Sequence, residues 1–101
     1  MKPSTAYRRL NSLLWMNRLP TALVMFVENE YIPRLRGITL YDDLFVVPVI
    51  LLNHEKHWGK TLVHECLHVA EPALRHGEIF NTIVDRYWKI AKEELKGWNI
   101  Q

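Results

Sequence analysis

Prolines at positions 20, 33, 48 and 72 divide this chain before any other pattern is read. A proline inside a helix removes a hydrogen bond and clashes with the preceding turn, and within a sheet it cannot donate to a ladder, so each one marks a boundary. Ser4 to Leu19 carries Tyr7, Leu10, Leu13 and Leu14 at helical spacing, with Ser4 expected as N-cap and Pro20 closing the run. Thr21 to Val27 and Arg36 to Tyr41 are β-prone and flank a connection containing Pro33, which predicts two strands joined as an antiparallel hairpin. Leu44 to Leu52 is apolar, yet Pro48 confines it to an edge strand or a buried extended segment. From Asn53 to Glu71 the spacing of Leu62, Val63, Leu67 and Ala70 is helical, and Pro72 ends that helix. A last helix over Glu78 to Leu95 presents Ile79, Phe80, Ile83, Val84, Tyr87, Trp88, Ala91 and Leu95 as one apolar stripe. Helices around a short antiparallel sheet predict a small α+β domain.

At 101 residues, 49% of them hydrophobic and 24% charged, the chain has room for one core and not two. The apolar runs Leu19 to Val27 and Leu44 to Leu52 are nine residues each, about half of what a bilayer-spanning helix needs. No membrane span and no secretory signal is expected, and the single cysteine, Cys66, fits a reducing, cytoplasmic setting. The net charge of +2 is uneven: Lys2, Arg8, Arg9, Arg18, Arg34 and Arg36 against Glu28 and Glu30 give +4 in the first 36 residues. Such asymmetry leaves DNA contact through the arginine-rich N-terminal part open, beside an ordinary solvated surface.

The chemistry is carried by His64-Glu65-Cys66-Leu67-His68. On a helix with 3.6 residues per turn, imidazoles four residues apart share one face, one turn apart, and can reach the same metal ion. Zinc accepts neutral histidine nitrogens, and a catalytic zinc site uses three protein ligands with one position left open. Glu65 sits about 100° around the axis from His64, beside that open position, where a carboxylate serves as general base toward water. A third ligand is required. His76, beyond the break at Pro72, is the leading candidate, since seven intervening residues easily span the return and Gly77 gives the backbone freedom for a tight entry to the last helix. Glu71 and Glu78 remain rival ligands.

The metzincin extension is absent, because its glycine and histidine positions hold Glu71 and Leu74. The pattern instead resembles the SprT-like (Spartan-type) metallopeptidases, whose signature joins HExxH to a later His-Gly-x-x-Phe, here His76-Gly77-Glu78-Ile79-Phe80. Thr61-Leu62 before the motif and Gly37-Ile38-Thr39-Leu40 upstream are similar to the family's helix entry and hairpin, so the resemblance covers about residues 20 to 95. It implies a zincin-like fold, Zn2+ held by His64, His68 and His76, Glu65 as catalytic base, and proteolysis of DNA-bound or cross-linked proteins. The loop from His68 to His76 is short for that family and the DNA-binding module of many relatives has no counterpart here, so DNA dependence is not carried over; the brevity suits a phage-like or mobile-element protein.

The remaining candidates have plainer readings. His54 and His57 are expected as exposed helix residues and Cys66 as core packing. Trp88 belongs to the apolar stripe, while Trp58 and Trp98 are expected to be free. Tyr87 and Arg86 are candidate oxyanion stabilisers that no spacing singles out. The expected function is a zinc metalloendopeptidase with a protein substrate. The alternative is a catalytically silent zinc-containing protein that grips a host or nucleic-acid partner.

Overall fold

The computed structural model describes residues 2–41, 47–54 and 57–96. Three helices, α1 (Pro3–Trp15), α2 (Trp58–Ala70) and α3 (Glu78–Glu94), accompany three strands, β1 (Leu23–Val27), β2 (Gly37–Leu40) and β3 (Val49–Asn53). The α+β class is as expected; the sheet is not. Its order is β1-β3-β2, with β3 parallel to β1 and antiparallel to β2. The predicted hairpin between β1 and β2 therefore does not form, and the segment expected as an edge strand or a buried extended stretch is buried and extended but occupies the centre.

Burial explains the reversal. The central position of a sheet is covered best, and it goes to the strand with the most apolar side chains to hide: Ile50 and Leu52 are fully buried, whereas β1 buries only Val24. Pro48 is no obstacle, because it stands one residue before the strand and contributes an acceptor, its carbonyl receiving the Leu23 N–H at 2.9 Å. Of the expected Leu44 to Leu52 segment, residues 44–46 lie outside the described part.

With β3 in the middle, the chain between β1 and β2 must cross its end, and Asn53 is the peg it crosses. Asn53 is wholly buried at the last position of β3; its side-chain amide donates to Asn29 Oδ1 at 2.7 Å and to the Leu35 carbonyl at 3.3 Å, and its backbone N–H donates to the Arg36 carbonyl at 2.8 Å. Each would cost free energy if left unpaired in the interior, so together they fix the path into β2.

Helix α1 packs on β1, α2 on β2 and β3, and α3 on α1 and α2. The core between them contains Leu10, Ile50, Leu52, Leu62, Val63, Cys66 and Phe80, all fully buried. Leu23, Met25, Val49 and Leu51 share the opposite sheet face, on which Leu23 and Met25 are exposed. No helix among the described residues is long and apolar enough to cross a membrane.

Helix boundaries differ from expectation in physically clear ways. Lys2, not Ser4, is the N-cap of α1, because Pro3 supplies a preset φ at the first helical position. The helix ends at Trp15, before Leu19: Met16 and Asn17 both adopt left-handed backbone angles, and the Asn11 side chain clamps Leu19 by its N–H (2.9 Å) and its carbonyl (3.2 Å). The Tyr7 hydroxyl donates to the Pro20 carbonyl at 2.6 Å, and burial pushes its pKa up. Helix α2 begins at Trp58 with His57 as N-cap, since Asn53 is committed to β3. His54 and His57 are exposed as expected, but outside a helix. Trp58, expected to be free, is buried with its ring edge-on to Phe26 at 5.1 Å. Trp98 lies outside the described residues.

Candidate metal centre

The site begins with the match between a strand and a helix running side by side. Two strand residues advance roughly 6.6 Å and four helix residues roughly 6 Å, so alternate positions of β2 can meet successive turns of α2 in register. Gly37 lies against Thr61, Thr39 against Glu65, and the Tyr41 hydroxyl stands 3.5 Å from the His68 carbonyl oxygen. The approach at Gly37 is close enough to require glycine: a Cβ there would stand 2.9 Å from Thr61 Cγ2 and 3.1 Å from the Leu51 carbonyl oxygen.

His64 and His68 occupy one face of α2, as the spacing requires. The chain then leaves the helix at Glu71 and turns before Gly77, the N-cap of α3, whose φ of 153° belongs to a backbone region that side chains disfavour. This turn delivers His76. The three Nε2 atoms form a small triangle, with sides of 3.1 Å (His64–His68), 3.2 Å (His64–His76) and 2.7 Å (His68–His76).

Hydrogen bonding among the rings cannot account for such a triangle. A neutral imidazole nitrogen is either donor or acceptor, so among three mutually adjacent ones at least two must be alike and repel. A cation facing three lone pairs removes that conflict. Three nitrogens on one tetrahedral zinc ion, each at about 2.0 to 2.1 Å, stand about 3.3 Å apart, close to the triangle observed. The donor set fits a metal ion, and His64, His68 and His76 are the residues that could hold it.

The surroundings favour the neutral, ligating form. Burial, then repulsion by His68 and His76, pushes the pKa of His64 down to about 4, and burial followed by His76 lowers that of His68. Phe80 forms the floor: it is fully buried and its ring touches all three imidazoles, with centroid separations of 4.7 Å to His64, 4.6 Å to His68 and 5.2 Å to His76. The rival ligands lie elsewhere in role, Glu71 as the exposed C-cap of α2 and Glu78 as the exposed first residue of α3.

Glu65 is 4% exposed, and its two oxygens have different surroundings. Oε1 accepts the Thr39 hydroxyl at 2.7 Å; Oε2 lies 3.8 Å from His64 Nε2. Burial pushes the carboxyl pKa up to about 7, against the lowering effect of the Thr39 bond. A carboxyl poised there exchanges protons near neutral pH. Thr39 was not singled out by sequence reasoning, and only the β2–α2 register reveals it. Cys66 points into the core, as expected, where burial raises its pKa and keeps the thiol protonated.

His64, His68, His76, Glu65 and Thr39 open on one cleft of about 870 Å³ between β2, α2 and the start of α3. Arg34, Arg36 and Lys60 line one part of it; none of its described lining comes from α1, so the arginines of that helix lie elsewhere. Tyr87 and Arg86 also do not line it, the Tyr87 ring being turned edge-on to Trp15 at 5.3 Å. Tyr41 and Asn81 are the neutral polar side chains with longer reach in its wall. Compared with family models, with curated proteins and with solved structures, the chain matches none.

Proposed function

We propose that this chain is a zinc-dependent metallopeptidase of SprT-like character. The observation that carries the reading is the position of the Glu65 carboxylate, buried, held by Thr39 and 3.8 Å from one corner of the three-histidine triangle, on the wall of an open cleft. A bound zinc ion would act there as a Lewis acid toward a carbonyl and lower the pKa of water to about 7. His64, His68 and His76 would hold it as neutral donors. Glu65 Oε2 takes the proton from water and returns it to the departing amine, a role that suits a pKa near 7. Thr39 keeps Oε1 occupied, so that Oε2 faces the reacting groups. The cleft lies alongside the edge strand β2, where an extended peptide could pair with the strand.

The resemblance extends this reading to DNA-associated protein substrates, but the first-helix arginines that could have met DNA beside the site are not in the cleft wall. The test is zinc stoichiometry together with cleavage of an unfolded protein substrate by the native chain and by Glu65→Gln. One zinc per chain in both proteins, with cleavage only in the native one, supports the peptidase. Zinc in both and cleavage in neither leaves a zinc-containing binding protein; full cleavage by the variant removes Glu65 from the chemistry.

A further inference from the structure

The cleft is electrically lopsided. Arg34 and Arg36, on the segment leading into β2, and Lys60, on the first turn of α2, all line it. They gather at one end, because the Gly37–Thr61 contact brings the start of β2 against the start of α2, while His68 and Tyr41 mark the other end. Lys60 is paired with Asp85 of α3 at 2.7 Å, and both side chains are exposed. Arg34 and Arg36 make no ion pair among the described residues. The remaining acid of the cleft, Glu65, is buried at its middle. Two guanidinium groups are thus left over for whatever enters.

We infer that the cleft selects peptide segments carrying acidic side chains about two residues from the scissile bond, on the side toward Arg34 and Arg36. This rests on the peptidase reading for the position of the scissile bond. Lys60 precedes His64 by four residues, about 6 Å along the helix, and an extended peptide covers that distance in about two residues. The arginines lie within the wall of the cleft itself, so they meet the same chain that reaches the histidines. Nucleic acid is the less favoured occupant, because the other arginines of the first 36 residues, on α1 and just after it, do not extend this patch along the cleft.

Exposed charge pairs each contribute little, so the combined preference is expected to be about fivefold, weakening with salt. The experiment uses the zinc-loaded Glu65→Gln chain, which reads binding without turnover, and fluorescently labelled ten-residue peptides with two Glu, two Gln or two Lys at matched positions. Tighter binding of the Glu peptide by about fivefold, turning into preference for the Lys peptide in the Arg34→Glu, Arg36→Glu double variant, supports the inference. Equal binding of the three peptides, no binding of any, or a preference unmoved by the charge reversal overturns it. So does tight binding of a 20-base-pair DNA duplex that the reversal abolishes while the peptides go undiscriminated, which would assign the arginines to nucleic acid. Cleavage by the native chain is scored separately, so loss of the peptidase reading and loss of this selectivity give different results.

Discussion

The Thr39 hydroxyl donates to Glu65 Oε1 at 2.7 Å, joining the edge strand to the helix that bears His64 and His68. Glu65 has little exposure to water, so the hydroxyl is the group that decides which way its carboxylate faces. Thr39→Val keeps the shape and removes the donor. It is expected to lower kcat by about 10- to 100-fold while leaving KM and zinc content nearly unchanged. Thr39→Ser should restore most of the rate. Loss of zinc in the valine variant would show instead that Thr39 supports the ligands.

How much of this site the sequence discloses depends on the distance over which each residue acts. His64 and His68 are visible because helix periodicity is local, and His76 because Pro72 forces the chain out and Gly77 lets it turn back. Phe80 appears in the sequence as a member of an apolar stripe and as the end of the His-Gly-x-x-Phe pattern; that it carries three imidazoles depends on how α3 crosses α2. Thr39 is hidden for the same reason, since its partner is 26 residues away and strand-to-helix register leaves no periodic trace. The sheet order is hidden from the sequence because a two-strand hairpin is the simplest local solution, whereas the observed crossover depends on Asn53 holding a distant loop.

The triangle of nitrogens predicts strong coupling between metal and stability. Without a cation, two like nitrogens face one another in a half-buried cluster, so chelation should destabilise the fold. Zinc at about 100 times its Kd adds about 2.7 kcal/mol, which for a domain of this size raises Tm by about 10 °C or more. His76→Ala should abolish most of that rise and leave less than one zinc per chain after dialysis. An undiminished rise in the variant would exclude His76 as a ligand.

In the metal-free protein the contributions of Glu65 and His64 should change with pH in opposite directions. Glu65 has a folded pKa near 7, above its ordinary 4.5, so its contribution is fully present below about pH 4.5 and is lost as pH rises through 7. His64 has a folded pKa near 4, below its ordinary 6.5, so its contribution is present above about pH 6.5 and is lost as pH falls through 4. Urea unfolding of the native chain and of Glu65→Gln, both stripped of metal, isolates the first effect. The native chain should lose about 2 to 3 kcal/mol relative to the variant between pH 4.5 and pH 8. A difference that does not change with pH would mean that Glu65 is not held in a raised state.

Gly37 connects the packing of the fold to the chemistry. Its Cα lies so near α2 that a single added methyl group would meet Thr61 Cγ2 at 2.9 Å and the Leu51 carbonyl oxygen at 3.1 Å. The first of these is a methyl on a buried, β-branched side chain and the second is backbone of the central strand, so neither yields easily. Gly37→Ala should therefore push the start of β2 outward at a cost of about 1 to 3 kcal/mol. Because Thr39 is two residues along the same strand, the shift also lengthens its bond to Glu65. Activity should fall by more than the loss of folded protein explains. Thr61→Ser removes Cγ2 and keeps the hydroxyl that bonds to the His57 carbonyl at 3.2 Å. Placed in the Gly37→Ala background, it should recover part of both stability and rate, and a double-mutant cycle on Tm and kcat measures the coupling. Strict additivity of the two substitutions would show that β2 and α2 are not in the contact that positions Glu65.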